Sequence, residues 1–309
     1  MHDVINERLS YSRDMIKQIN HVNGNSNELS DILELAYAGM LSHYGEEALD
    51  EVYLAFLKTK FIICDGSISD FLMKKYKLSK NAADEVSKHA PGTFYEVTGV
   101  ESIDKNKKRK YKFDRCVYVQ NDGSVDKATL LRSVIHQVNH VLNSMINPVV
   151  SVQGRLAARM GISLDLLVSR ENLHIKAEEA INSMQSDDIM NEVYEFLLVD
   201  IENEDIKRNL EELVSLPRRE VVDDEVTEIL RPLYEDDFFK NILVERRISG
   251  KLSGIRAEFE SYTDVGSYST FLTACCVVAS SKDEEEKAKS KETAKQLVKK
   301  YLDVSYEDN

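Results

Sequence analysis

The residues best suited to carry chemistry are two histidines that stand four positions apart, His136 and His140. On an α-helix this spacing places both side chains on one face, one above the other. Residues 130–145 carry polar side chains along that face, and their apolar side chains recur at the i, i+3, i+4, i+7 spacing of a buried face. One side of the helix therefore suits a core, and the other presents two imidazoles that can share one zinc ion. A surface helix with two unrelated histidines is the plainer alternative.

The segment between the histidines resembles a known catalytic motif. His136 to His140 reads His-Gln-Val-Asn-His, which is similar to the His-Glu-x-x-His motif of the zincin metallopeptidases. In that family the histidines bind zinc, and the glutamate is the general base for the attacking water. Gln137 occupies the glutamate position here, and an amide cannot accept a proton at neutral pH.

Two explanations fit this glutamine. The chain is either a natural pseudoenzyme or an active enzyme in which a glutamate was replaced by glutamine to silence it. We favour the second, because the exchange at Gln137 retains shape and hydrogen bonding while it removes only the base. The resemblance then implies a zinc metalloendopeptidase that is inactive as written.

A catalytic zinc site needs a third protein ligand and one open position. The zincin subgroup with a third histidine is excluded, because Asn143 and Ile146 occupy the positions of its glycine and its histidine. The resemblance therefore indicates the gluzincins, whose third ligand is a glutamate on a second helix downstream. Thermolysin-like members carry Asn-Glu-Ala-Ile-Ser-Asp there. Residues 178–183 read Glu-Glu-Ala-Ile-Asn-Ser, which implies that Glu179 is the third ligand.

Helix geometry agrees with this alignment. Ala177, Ile181 and Met184 lie opposite Glu179 on a helix, so the helix can pack against a core while the carboxylate faces the metal. Ser183 is a departure, because the family often has an aspartate there that orients a metal-bound histidine. A serine, a backbone carbonyl or a water would have to take that role.

Other residues compete for roles in the site. The rival third ligands are Glu178, His174, Glu258 and Glu260, all of which ordinary surface charge explains more simply. A gluzincin also uses a tyrosine or histidine to stabilise the oxyanion of its intermediate. The candidates for that role are His174, Tyr194 and Tyr262, among which the sequence does not choose.

The composition is that of an ordinary soluble globular protein of 309 residues, with 42% hydrophobic and 30% charged residues. We expect no membrane segment, since no apolar run is long enough and the first residues lack signal-peptide character. Four scattered cysteines fit neither a disulfide framework nor a metal site, which favours a reducing, cytoplasmic location. A net charge of −14 argues against nucleic acid as a partner. The basic run at residues 105–112 is best explained as a solvated hairpin loop, with a docking patch for an acidic substrate segment as the alternative.

The order of predicted elements is compatible with a zincin core. Residues 4–90 have helical periodicity, whereas residues 93–102 and 111–120 are rich in aromatic and β-branched residues and predict two strands of a hairpin. Asp126 is a suitable N-cap for the histidine helix. In the zincins an exposed sheet edge beside the zinc accepts the substrate as an added strand.

The rest of the chain is predicted to be mainly helical. Residues 149–152 and 164–169 predict short strands joined by residues 155–160, and a helix follows at about residues 174–190. Helices continue to the end, with breaks expected around Pro217 and Pro232, a turn at Gly250 and Gly254, and a solvated last helix at residues 281–302.

Together these patterns predict an α+β fold: a zincin-like core with a small sheet and an active-site helix, flanked by mainly helical segments. We divide the chain into a helical segment at residues 1–90, the zincin-like core at 91–200 and a helical segment at 201–309. The expected function is zinc-dependent hydrolysis of a peptide or protein substrate, with Zn²⁺ on His136, His140 and Glu179 and with Gln137 at the general-base position. The alternative is a catalytically inactive peptide-binding or regulatory module that retains the fold.

Overall fold

The computed structural model describes residues 2–45, 48–103, 109–152, 155–166, 172–196, 201, 204–214 and 224–307, which form an α+β structure with a large share of helix. The helices are α1 (His2–Asn23), α2 (Ser30–Tyr44), α3 (Leu49–Leu57), α4 (Ile68–Tyr76), α5 (Lys80–Val86), α6 (Lys127–Met145), α7 (Ile175–Glu195), α8 (Glu204–Val214), α9 (Glu225–Glu235), α10 (Asp237–Ser249), α11 (Leu252–Ser261), α12 (Ser267–Ser280) and α13 (Glu284–Glu307), with a 3-10 turn at Asn27–Leu29. The strands are β1 (Thr59–Cys64), β2 (Thr93–Ile103), β3 (Arg109–Gln120), β4 (Val149–Val152), β5 (Arg155–Met160), β6 (Ser163–Leu166) and β7 (Asn172–Leu173). In this part of the chain no helix combines the length and the apolar character that a membrane span requires.

The predicted hairpin is confirmed. β2 and β3 pair antiparallel in a register that opposes Thr93 to Val119, and β1 adds to the other side of β3 in parallel. Among the described strands the order is β1-β3-β2, so β2 lies at one edge of this sheet. The basic run between β2 and β3 falls partly outside the described residues.

The prediction of helix throughout residues 4–90 is wrong at β1. Residues 59–64 read Thr-Lys-Phe-Ile-Ile-Cys, whose β-branched and aromatic side chains suit a pleated surface. The run is short enough to pass for the end of the preceding helix. Its pairing partner, β3, lies about fifty residues further along the chain, so a local pattern does not reveal it.

Contacts divide the chain into two compact units. The first contains residues 1–142 and 185–220, and the second contains residues 143–184 and 221–309. The boundaries fall inside α6 and α7, so each of these helices continues from one unit into the other. The three segments expected from the sequence are continuous stretches of chain, whereas each unit combines two separate stretches. The three-segment division stays a prediction.

The first unit has its core around α2, in which residues 32–41 are all buried. Gly39 allows α7 to approach α2 closely, because a Cβ at Gly39 would lie only 2.5 Å from the side chain of Val193. Any larger residue there would push the two helices apart. The C-terminal half of α7 is thereby held against the centre of this unit.

The second unit combines an antiparallel sheet, β4-β5-β6-β7, with the helices α9 to α13. Residues 155–160 were predicted as a connection, which is wrong: they form β5 and pair with both β4 and β6. The last part of the strand predicted at 164–169 lies outside the described residues, as does Pro217. Pro232 does not break the chain but lies inside α9.

The aromatic core of the second unit corrects the expectation for the last helix. Phe259 stacks on Phe271 and on Tyr301, with ring centroids 5.3 and 5.6 Å apart. Tyr301 belongs to α13, which also buries Ala294 and Val298. The last helix is therefore amphipathic and packs one face against this core, instead of being a solvated element.

Candidate metal centre

The histidine helix begins as the sequence predicts. Asp126 caps α6 by accepting hydrogen bonds from the backbone N–H of Thr129 at 2.8 Å and from its hydroxyl at 2.7 Å. Most of the apolar face is buried, with Leu131, Val134 and Ile135 at 0% exposure. The helix is thus fixed both at its start and along one side.

The two histidines converge on one point. Their Nε2 atoms lie 3.1 Å apart, and the rings meet edge-on with centroids separated by 4.8 Å. Two nitrogen ligands on one tetrahedral zinc ion are about 3.3 Å apart when each bond has its usual length of about 2.0–2.1 Å. His136 and His140 are 1% and 2% exposed, so the alternative of a surface helix with unrelated histidines is wrong.

Glu179 completes a group of three potential ligands. One ligand atom from each of His136, His140 and Glu179 lies within 4.8 Å of the other two, and no second group of this kind occurs in the described part of the chain. Glu179 is partly exposed, whereas the histidines are buried. The structure therefore brings together the three residues that the resemblance implies as ligands, although metal binding itself stays a prediction.

The neighbouring glutamate has a different role. Glu178 is fully buried and forms an ion pair with Arg247 of α10. Its carboxylate also accepts a hydrogen bond from the backbone N–H of Ile162 at 2.8 Å. Glu178 is therefore used within the second unit, which excludes it as the third ligand in this conformation.

The other rival ligands do not belong to the group. His174 lies immediately before α7, with φ at 65°, and burial lowers the pKa of its imidazole. Glu260 accepts a hydrogen bond from Arg256 at 3.0 Å, and burial raises the pKa of Glu258. Tyr262, an oxyanion candidate, packs edge-on against Tyr301 with ring centroids 5.4 Å apart. None of these contacts assigns the oxyanion role, so His174, Tyr194 and Tyr262 all stay candidates for it.

Residue 137 is held by a hydroxyl group. The amide nitrogen of Gln137 donates to Oγ1 of Thr93 at 3.1 Å. Thr93 begins β2, and its hydroxyl lies 3.1 Å from the carbonyl of Ala90, to which it can donate. Gln137 is only 7% exposed. It is therefore held beside the histidines but offers no basic group.

Two aromatic rings beside the histidines are absent from the set of predicted site residues. His89 stacks on His136 and Tyr95 stacks on His140, in both cases with ring centroids 6.4 Å apart. Neither His89 nor Tyr95 was expected at the site from the sequence. The available signal was the period of two in β2, which places Thr93 and Tyr95 on the same side of the strand.

A charged pair joins the two helices of the site. Arg132 donates to Asp187 through Nε at 2.5 Å and through Nη2 at 3.2 Å, and through Nη1 to the carbonyl of His89 at 2.9 Å. Arg132 lies one helical turn before His136, and Asp187 lies about two turns after Glu179. The same register of α6 against α7 therefore fits both the ion pair and the group of ligands.

The donor set suits zinc chemically. Two imidazole nitrogens and one carboxylate oxygen are the ligands of many catalytic zinc sites, which leave a fourth position for water or substrate. Ser183, the departure noted from the thermolysin-like motif, is fully buried. No match to the chain is found among protein-family models, curated proteins or solved structures.

Proposed function

We propose that this protein binds one zinc ion through His136, His140 and Glu179 and that it has the active site of a zincin peptidase with its general base changed to glutamine. The observation that carries the proposal is the convergence of three ligand atoms within 4.8 Å. Burial of two histidines is costly unless their polar atoms find partners, and a shared cation provides one. The two sequence motifs support the zincin assignment.

In this proposal each side chain has a defined task. A zinc ion bound there would polarise a substrate carbonyl and lower the pKa of a water molecule. His136 and His140 would hold the ion through Nε2, and Glu179 would hold it through its carboxylate. Gln137, held by Thr93, can position a water or a carbonyl by hydrogen bonding but cannot remove a proton. Peptide hydrolysis would therefore require a carboxylate at position 137.

The edge of the first sheet supports a peptide as the substrate. β2 is an edge strand among the described residues, and its first residue, Thr93, contacts Gln137. Backbone groups at a sheet edge can pair with an extended peptide of almost any sequence. A peptide added to β2 would run along the strand that also carries Tyr95, the residue stacked on His140.

The proposal is tested by elemental analysis of the purified chain. We expect about one zinc per chain, and loss of that zinc in the variants His136→Ala and His140→Ala, since each removes a ligand. The matched control is His21→Ala, which changes an exposed histidine on α1 and should retain the metal. Undiminished zinc in both site variants would contradict the proposal.

A second candidate function is a peptide-binding or regulatory module without catalysis. It is compatible with the residue present at position 137, because Gln137 donates a hydrogen bond to Thr93 but offers no base. Zinc binding together with peptidase activity after Gln137→Glu would favour the enzyme. Zinc without activity, or no zinc, would favour the binding module.

A further inference from the structure

An ion pair between Glu178 and Arg247 lies in the interior of the second unit. Both side chains are 0% exposed. The guanidinium donates to the carboxylate through Nε at 3.2 Å and through Nη2, and Nη2 also lies 3.4 Å from the side-chain oxygen of Asn182. The backbone N–H of Ile162 supplies a further donor to Glu178. The carboxylate is therefore bound from two directions by groups on separate elements.

The turn between β5 and β6 closes over the same carboxylate. Gly161 lies in this turn with φ at +57°, and a Cβ there would be 2.0 Å from a carboxylate oxygen of Glu178. The position thus requires glycine both for its backbone conformation and for the close approach. With the turn on one side and Arg247 on the other, the Glu178 side chain has no room to change direction.

A second arginine extends the network to the end of the histidine helix. Arg159, 2% exposed, donates to the backbone carbonyls of Asn147 at 3.2 Å, Gly161 at 3.1 Å and Arg247 at 2.8 Å. It also donates to the carbonyl of Ile146, directly after α6. Burial lowers its pKa to about 10, which still leaves it charged at neutral pH. The network therefore connects the end of α6, the turn and α10.

A buried ion pair contributes little net stability, because removing both charges from water costs about as much as their attraction returns. The pair does fix the orientation of its two side chains, because their hydrogen bonds form only in one geometry. Successive residues of a helix differ by about 100° in direction. Fixing Glu178 toward Arg247 consequently fixes the direction of Glu179.

We infer that Glu178 and Arg247 are positioning residues, whose ion pair sets the rotation of α7 that presents Glu179 to the metal. This inference depends on the proposed zinc site. It assigns a role to Glu178, which is not one of the three proposed zinc ligands. It also gives a reason for burying a charged pair in a unit whose core cluster is aliphatic and aromatic.

The test replaces both charges at once, so that neither is left buried alone. The variant Glu178→Gln/Arg247→Met retains similar volumes, and its fold is checked by circular dichroism and thermal unfolding. Zinc affinity is measured by competition with a chromogenic chelator. We expect an affinity about ten- to hundredfold lower than that of the parent chain, the range typical of lost ligand-orienting contacts. The control variant Glu228→Gln/Lys291→Gln removes an exposed ion pair of the same unit and should leave the affinity unchanged.

A thermodynamic cycle separates positioning from a general loss of structure. In a Glu179→Gln background the ion pair has no carboxylate to position, so the double change should no longer lower the affinity. If the double variant does not fold, Arg247→Lys retains the charge but removes the forked geometry, and it should weaken zinc binding in the presence of Glu179 only.

The outcomes distinguish this inference from the proposed function. A parent chain that binds no zinc would overturn the metal site and the inference with it. A parent that binds zinc, together with a folded double variant of equal affinity, would overturn the inference alone. An equal loss of affinity in the Glu179→Gln background would also overturn it, because the ion pair would then act through another ligand.

Discussion

Gln137 differs from a glutamate only in having an amide nitrogen in place of a carboxylate oxygen. The hydroxyl of Thr93 beside it can form a hydrogen bond with either side chain. Oγ1 of Thr93 accepts a hydrogen bond from the amide of Gln137. A hydroxyl rotates freely, so the same group could donate to a carboxylate at this position. The local environment is therefore compatible with glutamate and with glutamine.

The first prediction concerns this exchange. Gln137→Glu should retain the fold and the zinc and should raise peptide hydrolysis by about a hundred- to ten-thousand-fold, the usual contribution of a general base. Both forms, equally loaded with zinc, are compared on a broad peptide library with cleavage read by mass spectrometry. Gln137→Met serves as a control that has similar length and no acid–base function.

A negative result is resolved by changing the substrate. If the glutamate variant binds zinc but cleaves no library peptide, proteins from a lysate of the native host are offered instead. Cleavage there would indicate a specific substrate. Continued inactivity would contradict the enzyme and favour the binding module.

The second prediction compares adjacent glutamates. Glu179→Ala should abolish tight zinc binding while it leaves the unfolding of the metal-free protein nearly unchanged, because this side chain is partly exposed. Glu178→Ala should lower the free energy of unfolding by about 3–5 kcal/mol, since Arg247 then remains buried without its partner, and it should weaken zinc binding less than Glu179→Ala does. Chelator competition and urea unfolding measure the two effects. Metal loss confined to Glu178→Ala would show that the register is wrong by one residue.

At the scale of elements, the site depends on how α6 and α7 meet. Arg132 and Asp187 join these helices with two hydrogen bonds. On α6, Arg132, His136 and His140 follow one another at intervals of four residues. On α7, Glu179 lies eight residues before Asp187. A slip of either helix would disturb the ion pair and the ligands together.

The third prediction tests this connection. Asp187→Asn should lower the free energy of unfolding by about 1.5–3 kcal/mol, because a buried guanidinium loses a charged acceptor. The change is measured by urea unfolding of the metal-free protein. Glu195→Gln, at an exposed position on the same helix, is the control and should have little effect. Equal stability of the two variants would argue against a structural role for the ion pair.

The start of α6 supplies the fourth prediction. Asp126→Ala removes two hydrogen bonds to Thr129 and should destabilise the protein by about 1 kcal/mol, the usual value for an N-cap. Asp126→Ser retains a capping oxygen and should recover most of the loss. Thermal unfolding of both variants gives the comparison, and a serine variant as unstable as the alanine variant would contradict the capping role.

At the scale of the whole molecule, zinc binding should be coupled to folding. A ligand that binds only the folded state stabilises it by about 4 kcal/mol at a thousandfold excess over its Kd. The fifth prediction is therefore a higher Tm in the presence of zinc, which is reversed by a chelator. The same zinc concentration should leave the Tm of His140→Ala unchanged. An equal rise in that variant would indicate binding elsewhere.

The sequence by itself determined the features that depend on near neighbours. The N-cap Asp126, the two faces of the histidine helix, the β2–β3 hairpin and the helix that bears Glu179 all follow from periodicity, capping and turn chemistry. These signals act within one element or between adjacent ones, so a local pattern is enough to predict them.

Only the tertiary structure decided the features whose partners lie far apart along the chain. β1 required its parallel pairing with β3, and the face of α6 that carries the histidines proved to be buried, not exposed. From the sequence, Glu178 is most simply explained as a surface charge. In the structure it is paired with Arg247, which lies 69 residues away along the chain. The energy of a buried charge depends on what surrounds it, and that environment is assembled only when distant segments pack together.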